Sequence, residues 1–176
     1  MAPIIHQGRY LSWSGQCYKS ESHACLQFAM WTLAASASAH LQHMRESLYA
    51  CARSRLEALD NNMEFTGAAS LSEAQAWLLL THYEFRYMHY RRAWLTAGRA
   101  FRIIQLTKLH EIDRLSNLAM NLALPEVWVE IEEKRRTFWL AYCLDRFVNI
   151  SNEWPLSLHE EAVRDSFSSM RRTSLR

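Results

Sequence analysis

The chain has 176 residues, of which 49% are hydrophobic and 22% charged, with only four glycines and three prolines. This composition excludes a disordered chain and a turn-rich β fold, and the length corresponds to about one domain. The net charge of +2 is scattered along the sequence, which argues against a surface that binds the phosphate backbone of DNA.

The four cysteines, Cys17, Cys25, Cys51 and Cys143, lie far apart and form no C-x-x-C pair. This spacing suits neither a zinc site nor a disulfide framework, and is typical of small apolar residues in a reducing compartment. Residues 1–22 show no steady periodicity, so we expect an irregular lead-in there.

Between His23 and His110, apolar residues recur every three or four positions in four segments, which predicts four helices. The first begins at His23, and the others cover about residues 42–60, 71–90 and 93–110. Ser70 precedes the third helix as a hydroxyl N-cap. Gly98, inside the fourth, is expected to let another backbone approach closely.

A fifth helix is predicted from Glu126 to about Phe147, after a loop at residues 111–125 that ends in Pro125. Glu130 and Lys134 form an i, i+4 pair on it, as do Glu132 and Arg136. The residues expected to face inward are Trp128, Ile131, Arg135, Phe138, Trp139 and Tyr142. The fold class is therefore all-α, a multi-helix orthogonal or antiparallel array of about five main helices.

The segment from Ala24 to Met44 contains no full charge and is long enough to span a bilayer as a helix. Its polar residues, among them Gln27, His40 and His43, are costly in lipid. We therefore expect a helix in a protein core and no membrane contact.

Two groups of residues raise the question of an enzyme or a metal site. His40, His43 and Glu46 share a helical face as metal ligands can, but such a set is more typical of a solvated surface. Glu126, Glu130 and Glu133 line one face of the fifth helix and are interpreted as a salt-bridged surface. Nucleotide, zinc-protease and hydrolase motifs are absent, so the sequence predicts no catalytic, cofactor-binding or metal-binding residue.

Asp145 follows the aromatic residues of the fifth helix, and a charged group at the edge of an apolar core needs a partner. We expect it to pair with an arginine of a neighbouring helix, Arg99 or Arg102. The alternative is that it lines a pocket that senses a small effector.

The fifth helix also carries the sequence Glu132-Glu133-Lys134-Arg135-Arg136-Thr137-Phe138-Trp139, then Tyr142 and Leu144-Asp145-Arg146. This pattern resembles the fungal-specific transcription factor domain, the regulatory middle region of binuclear zinc-cluster activators. Asn149-Ile150-Ser151-Asn152 and Trp154-Pro155-Leu156 are similar to the same family, as are Leu26-Gln27-Phe28-Ala29-Met30-Trp31 and stretches between Ala76 and Arg102. The motif residues, to which we assign a structural role, are Arg135, Arg136, Phe138, Trp139, Tyr142, Asp145 and Arg146.

The resemblance implies a regulatory domain, here partial, at residues 23–164, followed by a basic tail at 165–176. It also implies a nuclear protein whose partners are other transcription-factor segments or co-regulators. The six-cysteine zinc cluster of the family is not in this sequence. Zinc and DNA contact are therefore expected only through a domain that this chain does not contain.

A core that lacks its final helices would expose apolar surface on the fifth helix and favour a homo-oligomer. The function that the resemblance implies is modulation of transcription through protein or effector contacts, without catalysis. The alternative is a small helical ligand-binding protein or enzyme that uses an aromatic pocket between helices.

Overall fold

The computed structural model describes residues 4–62, 70–112, 125–150 and 155–158. Within these ranges there are six α-helices, two 3-10 helices and no strand, so the all-α prediction is confirmed, with six helices in place of about five. The α-helices are α1 (Gln7–Ser14), α2 (Glu21–Ala37), α3 (Arg45–Asn62), α4 (Leu71–Arg86), α5 (Tyr90–Leu106) and α6 (Pro125–Ile150). The 3-10 helices are Ala39–Met44 and Leu109–Glu111. Most of the predicted 111–125 loop and all of the 165–176 tail lie outside the described residues.

The core forms where α4 packs against both α2 and α5. Every residue of α4 from Glu73 to Thr81 is buried, and the Trp77 ring is fully enclosed. Helix α3 packs on α2, whereas α6 packs on α5 and α4. Helix α4 is thus the central element, and α6 covers one side of the core.

Helix α1 lies in the segment for which an irregular lead-in was expected, and that expectation was wrong for Gln7–Ser14. The helix is too short to be stable alone. It is held by Trp13, whose ring stacks on His23 with centroids 4.4 Å apart. Ile4, just before the helix, is buried in the core.

The first predicted helix is shorter than its apolar pattern suggests. Ser20 caps α2 by accepting a hydrogen bond from the His23 N–H at 3.2 Å. The helix ends at Ala37, and the chain continues as the 3-10 helix Ala39–Met44. No helix in the described ranges has the length and apolarity needed to cross a membrane.

Helix α4 begins as predicted, because the Ser70 hydroxyl accepts from the Glu73 N–H at 3.1 Å. It ends four residues before the expected Tyr90, at Arg86. Met88 adopts a left-handed conformation with φ 60°, its N–H bonds Phe85 O, and the His89 N–H bonds Glu84 O. These two bonds define a Schellman motif, which ordinarily uses glycine at the left-handed position.

Gly98 does not serve the close approach that we expected. A Cβ built at this position meets no other atom within 4 Å. The expectation was therefore wrong, and the glycine leaves open space beside α5.

Helix α6 begins at Pro125, as predicted. Its two i, i+4 pairs are confirmed, with Glu130–Lys134 at 2.6 Å and Glu132–Arg136 at 2.8 Å. Phe138 is buried as expected and Arg135 keeps only 16% of its side chain exposed, but Trp128 is 46% exposed. The inner stripe carries instead Glu133, Thr137, Ala141, Asp145 and Val148. Because Glu133, Thr137 and Asp145 are polar, apolar periodicity alone did not indicate this buried stripe.

Candidate functional site

Three aromatic residues of the family motif form one cluster on α6. The Phe138 and Trp139 ring centroids lie 5.8 Å apart, and those of Trp139 and Tyr142 lie 5.5 Å apart in an edge-to-face arrangement. Phe138 is buried, whereas Trp139 and Tyr142 are partly exposed. The cluster joins the core to the outer face of α6, and such pairs stabilise a fold beyond the area that they bury.

Asp145 is fully buried and accepts hydrogen bonds from backbone that follows α6. The Ser157 N–H lies 3.2 Å from Oδ1, and the Leu158 N–H lies 2.9 Å from Oδ2. The Asn149 side-chain amide donates to Oδ1 at 2.9 Å. The buried carboxylate thus accepts from three neutral donors, and the Arg146 guanidinium lies 3.6 Å from its Oδ2 as a longer ion pair.

The expected pairing of Asp145 with Arg99 or Arg102 was wrong. Arg99 instead pairs with Asp60 at 3.2 Å, and its guanidinium lies over the Trp77 ring. Arg102 is exposed. Sequence patterns pair side chains with side chains, whereas the donors here are backbone N–H groups more than ten residues away in the sequence.

Arg146 binds the same short segment through the carbonyl oxygen of Leu158. Both terminal nitrogens of Arg146 donate to Leu158 O at 3.1 Å, and its guanidinium carbon lies 3.3 Å from the Tyr142 ring centroid. Asp145 and Arg146 therefore bind the N–H and the C=O of Leu158 together. We call this arrangement, with Ser157, the Asp145–Arg146 clamp.

Arg135 and Arg136 share the Glu132 carboxylate, at 2.6 Å and 2.8 Å. Burial alone would raise the pKa of Glu132, but the hydrogen bonds from Arg136 and Arg135 outweigh it and lower that pKa below its usual value. The two motif arginines thus bind a carboxylate of their own helix.

Glu133 does not lie on a solvated acidic face, so the expected surface role was wrong for this residue. It is 7% exposed. One carboxylate oxygen pairs with Arg9 at 2.9 Å, and the other accepts from the His6 N–H at 3.2 Å. Gln75 of α4 contributes by donating to Ile4 O at 2.8 Å. This buried cluster connects α1, α4 and α6.

The three residues considered as metal ligands are dispersed and solvated. His40 and His43 lie in the 3-10 helix Ala39–Met44, and Glu46 lies in α3; all three are exposed. No group of three ligand residues is gathered anywhere in the described part of the chain.

A second buried network was not predicted from the sequence. Glu84 of α4 is fully buried and accepts from Arg53 at 2.6 Å and from the Tyr49 hydroxyl at 2.5 Å. Arg53 also donates to the Thr96 hydroxyl at 3.2 Å. These residues lie on three helices, so no local spacing in the sequence could indicate that they meet.

Comparison with known proteins identifies the class to which this fold and motif belong. Residues 1–163 match the model of the fungal specific transcription factor domain, and the chain belongs to this family. It is a regulatory domain of a transcription factor and not an enzyme. No solved structure matches the chain.

Several fungal regulators are similar to the chain over most of its length. A pigment biosynthesis transcriptional activator of Monascus ruber is 48% identical over 92% of the chain. A tropolone cluster transcription factor of Talaromyces stipitatus is 44% identical over 90%, and a citrinin biosynthesis transcriptional activator of Monascus purpureus is 42% identical over 91%. The chain spans only 29%, 28% and 27% of these three relatives' own lengths.

Proposed function

We propose that this domain belongs to a regulator of a single biosynthetic gene cluster. The observation that carries the proposal is the 48% identity to a pigment biosynthesis activator over 92% of the chain. Regulators of tropolone and azaphilone clusters match at 44% and 41% identity. These relatives are similar to the chain over 92%, 90% and 93% of its length.

The proposed role within such a regulator is to hold protein contacts, with DNA contacted by another part of the polypeptide. The partners are other segments of the same transcription factor or co-regulators, and the site of action is the nucleus. Three of the basic residues support this role, because Arg9, Arg53 and Arg99 pair with carboxylates of the domain itself. Arginines engaged in this way are not free to bind phosphate groups.

Deletion of the encoding gene tests the proposal. We expect transcripts from one contiguous set of biosynthetic genes to fall, while transcripts from the rest of the genome stay within their normal variation. Sequencing of RNA from the deletion strain and its parent measures this. Unchanged transcripts from every biosynthetic cluster under conditions in which the gene is expressed would contradict the proposal.

A complementation experiment links the result to the domain. The deletion strain receives the gene either unchanged or with Asp145→Ala, which removes the buried acceptor of the clamp. We expect the unchanged gene to restore the transcripts and the variant to restore fewer, with protein amounts compared by immunoblot. Nuclear localisation is measured on the same strains with a fluorescent tag.

A further inference from the structure

A cleft of about 510 Å³ opens where α4 turns into α5. Three cationic side chains line it, Arg53, Arg91 and Arg92, together with the apolar side chains of Met88, Tyr90 and Leu95. Its volume lies within the range of roughly 300–1,000 Å³ that is usual for small-molecule sites, but it is open to solvent, and Tyr90 and Leu95 are more than half exposed. We call this feature the arginine cleft.

Two of the three guanidinium groups remain available for a ligand. Arg53 is already bound by Glu84 at 2.6 Å and by Glu57 at 2.9 Å. Among the described residues neither Arg91 nor Arg92 has a carboxylate partner, and Arg92 only donates to the Tyr49 hydroxyl at 3.4 Å. No carboxylate side chain lines the cleft. An anion that enters it therefore meets the guanidinium groups of Arg91 and Arg92, whereas the charge of Arg53 is already balanced by Glu84 and Glu57.

The cleft is built on fixed structure. The buried bonds of Glu84 to Arg53 and Tyr49 hold α3 and α4 together beneath it. The Schellman motif at Met88 fixes the turn that leads to Arg91 and Arg92. The first turn of α5 contains no acidic residue, and His89 makes no side-chain hydrogen bond there. The partial positive charge of this helix end therefore adds to the charge of the arginines.

The apolar part of the lining selects the kind of anion. Tyr90, Met88 and Leu95 all belong to the exposed large hydrophobic residues of the domain. They offer an aromatic face and two aliphatic surfaces beside the guanidinium groups. A simple inorganic ion would leave these surfaces in water, whereas an organic anion with a ring would cover them.

We propose that the arginine cleft binds a small organic anion with an aromatic body. Arg91 and Arg92 hold its carboxylate or phosphate, and its ring packs against Tyr90 and Leu95. This binding goes beyond the regulatory role and does not depend on it, because the proposal concerns the isolated domain and not its target genes.

Calorimetric titration of the 176-residue chain tests the proposal with three probes that share one ring system. Naphthoate and naphthyl phosphate carry the anion, and naphthalenemethanol is the neutral comparator. We expect saturable binding of at least one anionic probe, at least about tenfold tighter than that of the alcohol, because charge-assisted hydrogen bonds contribute more than neutral ones.

The variants locate the site. The double variant Arg91→Gln, Arg92→Gln should weaken binding of the anionic probe by about tenfold or more. Arg102→Gln, an exposed arginine of the same helix outside the cleft, should leave it unchanged. Circular dichroism confirms that both variants are folded.

Each of the following results would overturn the proposal. They are the absence of saturable binding of both anionic probes, equal affinity for the alcohol, and an affinity that the double variant leaves unchanged. Equal weakening by Arg102→Gln would also overturn it, since only net charge would then matter.

Discussion

The carboxylate of Asp145 accepts hydrogen bonds from two backbone N–H groups, and no other described group accepts from them. Replacing a residue of this kind lowers the free energy of unfolding strongly, because the partner that remains buried loses its hydrogen bond and cannot form one with water. The exposed ion pairs of the domain, such as Glu21 with Arg55, contribute much less. The difference between the two classes can be measured at single positions.

Asp145→Ala is expected to lower the free energy of unfolding by about 3 kcal/mol, since two N–H groups lose their acceptor. Urea denaturation followed by circular dichroism measures the change. The control is Glu21→Gln, at a carboxylate that is 70% exposed and pairs with Arg55, for which we expect a loss within about 1 kcal/mol. Equal losses for the two variants would contradict the role of the clamp.

The cysteines should differ sharply in reactivity. Burial raises the pKa of the Cys25 thiol to about 11, and its side chain is fully enclosed. Cys17 and Cys143 are exposed. Because the thiolate is the reactive form, Ellman's reagent at about pH 8 should modify Cys17 and Cys143 first and Cys25 last.

Mass spectrometry of the labelled peptides gives the order of modification. The control is the same reaction in denaturant, where all four cysteines should react at similar rates. Rapid labelling of Cys25 in the folded protein would show that α2 is not packed as described.

At the scale of elements, periodicity was enough to predict that α2 to α6 are helices, but it gave the wrong inner face for α6, whose buried residues include Glu133, Thr137 and Asp145. It could not predict α1, whose stability comes from distant contacts such as the hydrogen bond of His6 to Glu133. It also placed the end of α4 too late, because Met88 takes a position where glycine is usual. The motif residues were found from the sequence, but two partners of Asp145 are the backbone N–H groups of Ser157 and Leu158, which carry no sequence signal.

Helix α5 should become more stable when Gly98 is replaced. Alanine lowers the conformational freedom of the unfolded chain, and a Cβ here meets nothing within 4 Å. We expect Gly98→Ala to raise the free energy of unfolding by about 0.5–1 kcal/mol in urea denaturation. Gly8→Ala is the control: its Cβ would lie 3.2 Å from the His6 ring, so its gain should be smaller.

The attachment of α1 to α6 depends on Glu133. Glu133→Ala removes the acceptor for the His6 N–H and the partner of Arg9, and should cost about 2–3 kcal/mol. Hydrogen exchange should become faster in Gln7–Ser14 in particular. Glu130→Ala, which removes a partly exposed carboxylate paired with Lys134, should leave exchange in α1 unchanged. Equal protection of α1 in both variants would contradict the proposed tether.

At the scale of the whole molecule, α6 leaves an apolar area uncovered near its C-terminal end. Phe147 is 65% exposed and Ile150 is 78% exposed. The Phe147 ring contacts Phe85 with centroids 5.8 Å apart, and Phe85 lies 6.2 Å from Tyr90. We call these four residues the Phe147 patch. Apolar areas of this kind favour association between molecules.

The chain is therefore expected to self-associate as its concentration rises. Light scattering coupled to size-exclusion chromatography should show a mass above that of a monomer, and Phe147→Glu should reduce it. Leu106→Glu is the control, because Leu106 is 75% exposed but lies at the opposite end of α5 from Tyr90. A monomeric mass at every concentration would contradict the prediction.

Helix α6 also fixes the spacing between two segments of the polypeptide that are far apart in the sequence. Near its start, Glu133 fixes the backbone at His6; further along, Asp145 fixes the backbone at Leu158. The two anchoring residues are separated by twelve positions, from 133 to 145, or about 18 Å of helix at 1.5 Å per residue. Because both anchors lie on one helix, repacking among α2 to α5 leaves that spacing unchanged. The distance between the anchored segments at His6 and Leu158 is therefore set by α6 alone.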